Sequence, residues 1–513
     1  MKEFNTTGLC NPQKHYMVDT SKKLKNIKAL IEKEKYFIIN RPRQYGKTTV
    51  LTALENALND KYLVISISFE GIGEDAFKSE GNFVKTFIQL ILENLEFVDN
   101  DLSDKFLELN KNIKSLLDLS RLISKFIKSL NKEFILIIDE VDKSANNQMF
   151  LDFLGMLRNK YLEREKGKGI TFKSVILAGV YDIKNLKLKL RPDEERKYNS
   201  PWNIAVPFNV DMSLHEDGIK NMLDEYALDK KLNFNTSKAA EFIYFYTSGY
   251  PFLVSRLCQI IDEDLEASWN EKNMIKAVKL LLSEKNTLFD DLIKNIENNN
   301  ELKEYILDLI MNGASNTFNL LNPIINLGVM FGYFKNENGM VAISNNIFSQ
   351  VLYNYFSSLL ESNSIMKKYN FKSDFIEGSG LNIEKILLRF QQFMKEENSL
   401  KDESFLEKNG RILFLAFLTP IINGVGFAFK EVQISEEKRL DVVITYNSNR
   451  YIIELKIWHG EKYHERGLKQ LEDYLEINNQ NRGYLLVFNF NKDKEYKKEI
   501  INCEGKEIVA VFV

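Results

Sequence analysis

Two groups of residues in this chain have the types and spacing to do chemistry. The first is Arg41-Pro42-Arg43-Gln44-Tyr45-Gly46-Lys47-Thr48-Thr49, placed after the apolar run Tyr36–Asn40 and before a helical pattern, VLTALENAL. In a strand–loop–helix of this kind, free N–H groups at the helix N-terminus face a phosphate chain, and the helix dipole adds positive charge. Gly46 lets the backbone approach closely, Lys47 has the reach to grip the outer phosphates, and the Thr48 hydroxyl can ligate Mg²⁺. Arg43, Gln44, Tyr45, Gly46, Lys47, Thr48 and Thr49 are therefore the candidate nucleotide-binding residues. One departure stands out: Arg41 occupies the position where such loops ordinarily open on glycine.

A partner for this loop lies further along the chain, in Phe134-Ile-Leu-Ile-Ile138-Asp139-Glu140-Val141-Asp142. Five apolar residues predict a buried central strand. Asp139 falls at its C-terminal end, where open α/β sheets bind ligands. An acid there can hold the hydration shell of Mg²⁺, and Glu140 beside it can polarise an attacking water.

The second group is near the C-terminus. Lys438–Tyr446 and Tyr451–Trp458 read as the two strands of a hairpin around Asn447-Ser-Asn-Arg450. Closure about Ser448–Asn449 would pair Tyr446 with Tyr451 and Asp441 with Lys456. Alternation along the strands then puts Asp441, Glu454 and Lys456 on one face and apolar residues on the other. Two carboxylates and an ammonium suit a hard divalent cation holding a water against a phosphodiester, with Lys456 offsetting the developing charge. Glu431, on the preceding strand, is a further oxygen donor. Gln470 and Tyr474, four apart on a helical pattern, share a face. His459 and His464 flank the second strand and read as surface residues rather than zinc ligands.

The elements that must carry these residues follow from periodicity. Residues 1–260 alternate β-branched runs with helical patterns, which predicts an α/β domain with a parallel sheet; Ile204–Phe208 is its last expected strand. Residues 261–365 are mostly helical with one hairpin, 366–380 read as a linker, and 381–513 read as helix, three strands, helix and two strands. Ile412–Phe429 holds 18 residues without a charge, but Pro420, Asn423, Gly424 and Gly426 interrupt it, so a buried helix, a turn and a strand are expected and no membrane span. The 513 residues carry 69 basic and 72 acidic side chains, a balance that excludes a basic protein coating nucleic acid. Three scattered cysteines argue against a disulfide framework, and the opening MKEFNTTGLCNPQK lacks an export signal's apolar core, so a cytoplasmic location is expected.

With these motifs in view, residues 10–360 resemble the AAA-like ATPases of the P-loop superfamily. The resemblance implies ATP and Mg²⁺ as ligands, with Thr48 and Asp139 at the metal and Glu140 as the catalytic glutamate that polarises the water. It also implies that His15–Asp19 lies near the adenine, that Arg256, after Gly249-Tyr250-Pro251, approaches the terminal phosphate, and that Arg191 and Arg196 are candidate arginine fingers. Residues 301–357 are similar to a winged-helix module, here poor in lysine. The C-terminal region resembles the PD-(D/E)xK nuclease superfamily, which has a restriction-endonuclease-like α/β fold. Asp441, Glu454, Lys456 and Gln470 take its catalytic places, Asp441, Glu454 and Glu431 its Mg²⁺ or Mn²⁺ ligands; the acid that many relatives carry on the first helix is not placed by Glu403 or Glu407. The resemblance implies nucleic acid as partner, DNA favoured over RNA, and leaves an oligomer open. An ATP-driven switch whose C-terminal domain binds nucleic acid or protein without cleaving it rests on the same residues.

Overall fold

A computed structural model describes residues 2–143, 147–180, 202–311, 316–361, 372–397, 410, 413–415, 417–418, 421–422, 426–430, 440–446, 449–458, 460–477, 480–491, 494–503 and 505–513. The chain forms two compact units, one of Met1–Glu284 with Asn326–Tyr333 and one of Lys285–Ile325 with Phe334–Val513.

The first unit is built on four parallel strands, β1 (Phe37–Asn40), β2 (Leu63–Ser68), β3 (Phe134–Asp139) and β4 (Ser174–Gly179), in the order β1-β4-β3-β2. Both faces are covered, so the strands read as unbroken apolar runs; every residue of β3 is buried. Ile38, Ile65, Leu136, Ile138 and Leu177 pack toward α3 (Glu80–Val98), α5 (Leu116–Lys128) and α6 (Gln148–Glu165). The alternate residues Phe37, Ile39, Val64, Ile135, Ile137 and Ile176 pack toward α1 (Ser21–Glu32) and α2 (Lys47–Leu58). Each such aliphatic side chain contributes about 1.5–3 kcal/mol when fully buried. The short α4 (Asn100–Leu109) follows α3 behind an Asp99 cap. The expected strand at Ile204–Phe208 is reduced to a single parallel bridge, Phe37↔Val206, on the outer edge of β1. A helical lid follows: α7 (Glu216–Lys230), α8 (Thr236–Thr247), α9 (Pro251–Gln259) and α10 (Glu271–Ser283). In α8, Ile243 is buried but Phe245 is half exposed, so the aromatic run Phe242–Tyr246 only partly enters the core.

The second unit opens with α11 (Thr287–Glu297) and α12 (Asn300–Met311); after α13 (Pro323–Met330), most of which belongs to the first unit, come a hairpin of β5 (Phe334–Glu337) and β6 (Met340–Ile343) and then α14 (Asn346–Glu361). Tyr305 of α12 packs on Phe334, with ring centroids 5.5 Å apart. A miniature hairpin of β7 (Ile376–Glu377) and β8 (Gly380–Leu381) precedes α15 (Ile383–Glu397), and the Tyr451 hydroxyl accepts from the Leu381 N–H at 2.8 Å. The C-terminal sheet contains β9 (Gly426–Lys430), β10 (Leu440–Tyr446), β11 (Asn449–Ile457), β12 (Arg482–Phe488), β13 (Lys498–Cys503) and β14 (Lys506–Phe512), in the order β13-β14-β12-β11-β10-β9. After α16 (Glu461–Ile477), three strands follow where two were expected, because residues 498–512 fold as a hairpin. α15 covers one face, with Phe390 against Phe414 at 5.0 Å and Phe488 at 6.3 Å. α16 covers the other through Leu471 and Leu475, against Val443, Ile452, Leu485 and Ile508. The uncharged stretch expected as helix, turn and strand has Phe414, Phe417 and Ile421 fully buried and ends in β9. Among the described residues no helix is long and apolar enough to cross a membrane.

Candidate functional site

The phosphate loop sits between β1 and α2. Gly46 caps α2 in the left-handed conformation, φ 74°, and offers no side-chain cap to the helix N-terminus. That leaves the first N–H groups of α2 facing outward, the anion-binding arrangement. Gln44 is also left-handed. Arg41, the departure from glycine, turns away from the cradle. Its guanidinium donates to Asn40 O at 2.8 Å and Val210 O at 2.7 Å, and lies over the Phe208 ring. The Tyr250 hydroxyl donates to Arg43 O at 2.5 Å, and the Tyr45 and Tyr250 rings meet edge to face at 4.8 Å. On another side, a Cβ at Gly332 would sit 2.4 Å from Pro42 Cγ. The loop is thus held from three directions. The sequence signal for the tyrosine clasp was Tyr250 within Gly-x-Pro; nothing in the sequence announced Val210 or Gly332.

Lys47 is only 7% exposed, and its ammonium donates to Arg41 O and Pro42 O, both at 2.9 Å. Burial lowers its proton affinity, and Glu140, Asp142 and Asp139 act against that. The Thr48 hydroxyl donates to Asp139 Oδ2 at 3.2 Å, so the expected Mg²⁺ ligands from α2 and β3 already meet. Thr49 Oγ1 accepts from the Cys10 N–H at 3.3 Å, which ties the N-terminal segment to α2. Glu140 follows with φ 54°, a left-handed conformation of order 1 kcal/mol above the ordinary regions. Its carboxyl is pushed above the ordinary range, first by burial and then by Asp139. The Thr48 hydroxyl on the buried Asp139 carboxylate, beside a lysine and a helix N-terminus, fits a triphosphate with Mg²⁺, an oxygen-seeking cation.

Two expected neighbours, Arg256 and His15, are engaged elsewhere. Arg256 is captured by Glu284, to which its Nε donates at 3.1 Å to each carboxylate oxygen, while Nη1 donates to Gln259 at 2.8 Å. This bidentate pair turns Arg256 from the phosphate role expected of it. His15 Nδ1 accepts from the Asn11 N–H at 2.8 Å inside its own loop. Arg191 and Arg196 lie outside the described residues.

In the C-terminal sheet the hairpin register is Tyr446↔Asn449 and Asp441↔Glu454, not Tyr446↔Tyr451 and Asp441↔Lys456. The expected pairing was off by two, because the strands close over two residues, the favoured hairpin loop length. A shift of two preserves side-chain parity, so Asp441, Glu454 and Lys456 remain on one face and the two acids become direct cross-strand partners. That face is not open to solvent: it is the one beneath α16. Glu454 is 1% exposed, and Lys456 Nζ lies 3.8 Å from its Oε1. The lysine stem runs under α16 at Gly467, where a Cβ would approach Lys456 Cε to 2.8 Å and Nζ to 3.0 Å. For Asp441, Gln470 and Tyr474 the backbone alone is described, in β10 and α16; Glu431, Glu403, Glu407 and His459 lie outside the described residues. Among the described residues no three His, Cys, Asp or Glu side chains converge as a metal-holding group. The donor chemistry of paired strand carboxylates, one deeply buried, still fits a hard divalent ion. His464 is not a surface residue but half-buried, 5.4 Å from the Trp458 ring and 5.5 Å from Phe512, and burial lowers its proton affinity.

Residues 8–358 match the family model of an AAA-like domain, and residues 423–500 match the PD-(D/E)XK nuclease superfamily. No curated protein matches the chain. Among solved structures, the chain is similar to a Walker-type ATPase of Pyrococcus abyssi, at 14% identity and a TM-score of 0.47 over 68% of this chain and 99% of that one. It is also similar to the ORC2 protein of Aeropyrum pernix, at 12% identity and 0.34 over 66% and 94%. A third, the ORC1 protein of Aeropyrum pernix in complex with DNA, stands at 13% and 0.28 over 67% and 94%.

Proposed function

The chain belongs to the AAA-like domain family and carries a PD-(D/E)XK-superfamily region behind it, and from that premise we propose a Mg²⁺-dependent ATPase whose nucleotide state controls a metal-dependent nuclease acting on nucleic acid, DNA first. In this reading residues 1–260 are the ATPase domain, 261–365 a helical and winged-helix lever, 366–380 a linker and 381–513 the nuclease domain. A cytoplasmic setting suits its three free thiols.

Lys47 exchanges the Arg41 and Pro42 carbonyls for β- and γ-phosphate oxygens when nucleotide enters, because the phosphates offer the stronger, charge-assisted bonds. The first N–H groups of α2 face the same phosphates. Thr48 and Asp139 would hold Mg²⁺, which neutralises charge on the triphosphate. Glu140 orients the attacking water and takes its proton. In the sheet, Asp441 and Glu454 would hold Mg²⁺ or Mn²⁺, which supplies an activated water. Lys456 offsets charge on the phosphodiester, and Gln470, a residue of α16, is assigned a catalytic role beside it.

The observation that carries this reading is the Thr48–Asp139 pair, 3.2 Å apart, beside buried Lys47. ATP turnover lost in Lys47→Ala and kept in Lys456→Ala, with Mn²⁺-dependent DNA cleavage lost in Lys456→Ala, is the expected result. Turnover that survives Lys47→Ala, or cleavage that survives Lys456→Ala, refutes it. One observation favours the switch without cleavage: Glu454, at 1% exposure, is closed to a substrate-bound metal unless α16 moves. A wild type that hydrolyses ATP and cuts neither DNA nor RNA in Mn²⁺ decides for the switch.

A further inference from the structure

We propose that Asp142 is a positioning residue for ATP hydrolysis, stapling the C-terminal end of β4 between the phosphate loop and the Asp139–Glu140 pair. This rests on the ATPase reading above and names a residue which that reading leaves idle.

The strand order puts β4 between β1, which leads into the phosphate loop, and β3, which ends at Asp139. The end of β4 therefore forms the wall between the lysine that grips the phosphates and the acid beside the water. The wall is joined to the loop on one side: Arg41 N donates to Gly179 O at 3.0 Å. On the other side it is joined by Asp142, whose Oδ2 accepts from the Val180 N–H at 2.5 Å. The left-handed turn at Glu140 and the following 3₁₀ turn, Val141–Lys143, aim these residues in opposite directions. Val141 is fully buried in the core, and Asp142 points back across β4.

Gly179 supplies a second, independent sign. A Cβ at this position would lie 2.7 Å from Asp142 Oδ1 and 2.9 Å from its Cγ, and its φ is not in the left-handed range. Its backbone would accept any residue. What it lacks room for is Asp142, so the glycine and the carboxylate act as one device. Neither β4 nor Val180 presents a polar side chain toward the phosphates. The wall contributes through placement alone: a drift of the order of 1 Å there moves the water off line without loosening the grip of Lys47 and Thr48, and such a misplacement costs up to about 10²-fold in rate.

The test measures kcat and KM for ATP in Asp142→Ala, Asp142→Asn and Gly179→Ala. Asp142→Ala is expected to lower kcat by about 10- to 100-fold with KM for ATP changed less than about threefold. Asp142→Asn, which keeps an acceptor oxygen for Val180, is expected to restore most of the rate. Gly179→Ala pushes the carboxylate aside and is expected to reproduce Asp142→Ala, with no further loss in the double variant. Wild-type kcat in Asp142→Ala, equal losses in Asp142→Ala and Asp142→Asn, or additive losses in the double variant overturns the proposal. If Asp142→Ala does not fold, Gly179→Ala and Asp142→Asn still divide these outcomes. An ATP turnover that is absent in the wild type or indifferent to Lys47→Ala removes the ATPase reading itself. A Lys47-dependent turnover indifferent to Asp142 removes the staple alone.

Discussion

The phosphate-loop site and the hairpin site both set a largely covered lysine near carboxylates, yet they are assembled in opposite ways. Lys47 binds the nearby carbonyls of Arg41 and Pro42, but Thr48 beside it meets Asp139 on a strand far along the chain. Lys456 and Glu454 lie two residues apart on one strand, opposite Asp441 on the next. A site made from one hairpin depends on register and parity, whereas one made from a parallel sheet depends on which strands lie side by side. The first survives a register shift of two. The second loosens when one of its distant clasps lets go.

The largest effect expected from this difference is at Glu140. Glu140→Gln keeps the shape and the left-handed turn but removes the proton acceptor, and should lower ATP turnover by about 10²- to 10⁴-fold while nucleotide binding persists. Single-turnover kinetics beside equilibrium ATP binding measure the two separately. Loss of binding in step with turnover would mean that Glu140 serves the cradle's structure, and the contrast between the sites would weaken.

A smaller effect, of opposite sign on stability and activity, is expected at Gly467. The helix that carries it starts at Glu461, so this glycine lies in a helix interior, where it is about 1 kcal/mol less favourable than alanine. Gly467→Ala should therefore leave the melting temperature unchanged or raised. Its Cβ would take the space of Lys456 Cε and Nζ and displace the ammonium, so Mn²⁺-dependent cleavage should fall by about tenfold. Cleavage at the wild-type rate, with Lys456→Ala still inactive, would show that the lysine can act from another position and that the local site tolerates more than its tight packing suggests.

How much of each site could be read from the sequence follows the same division. Gly46-Lys47-Thr48 and Asp139-Glu140 announce themselves because each motif is contiguous and flanked by elements of clear period. The face shared by Asp441, Glu454 and Lys456 was legible from alternation alone, although the pairing was misplaced by two, since parity does not depend on loop length. What the sequence hid is what depends on three-dimensional neighbours. Arg41 looked like a flaw in the loop until Val210 appeared as its acceptor. Arg256 looked available until Glu284 took it. The burial of Glu454 required knowing that α16 folds over that face, and the reduction of Ile204–Phe208 to one bridge required knowing that only Val206 reaches the edge of β1.

Tyr250 tests the distant clasps at lower amplitude. Tyr250→Phe deletes the hydroxyl bonded to Arg43 O and keeps the ring against Tyr45, so a loss of about 1 kcal/mol in stability and a rise of severalfold in KM for ATP are expected. Urea denaturation and steady-state kinetics read them. If stability falls with KM unmoved, the clasp supports the lid alone and not the phosphate loop.

Lys160 provides a control for buried Lys47, because it has no phosphate to hold. It is 3% exposed, and its ammonium donates to Ser120 O at 2.8 Å and Ser124 Oγ at 2.6 Å. Burial lowers its pKa from 10.5 to about 8. Between those values the unfolded chain carries a proton that the folded chain has released. The unfolded state thus binds more protons there, and stability should rise as pH climbs from about 8 toward 10.5. Below that window the folded state retains a charge that burial opposes, and the penalty is fully present. Lys160→Met should flatten this part of the pH–stability curve and leave ATP turnover unchanged. A rise of the same steepness in the variant would assign the slope to another group. At Lys160 Glu163 opposes the burial, as Glu140, Asp142 and Asp139 do at Lys47.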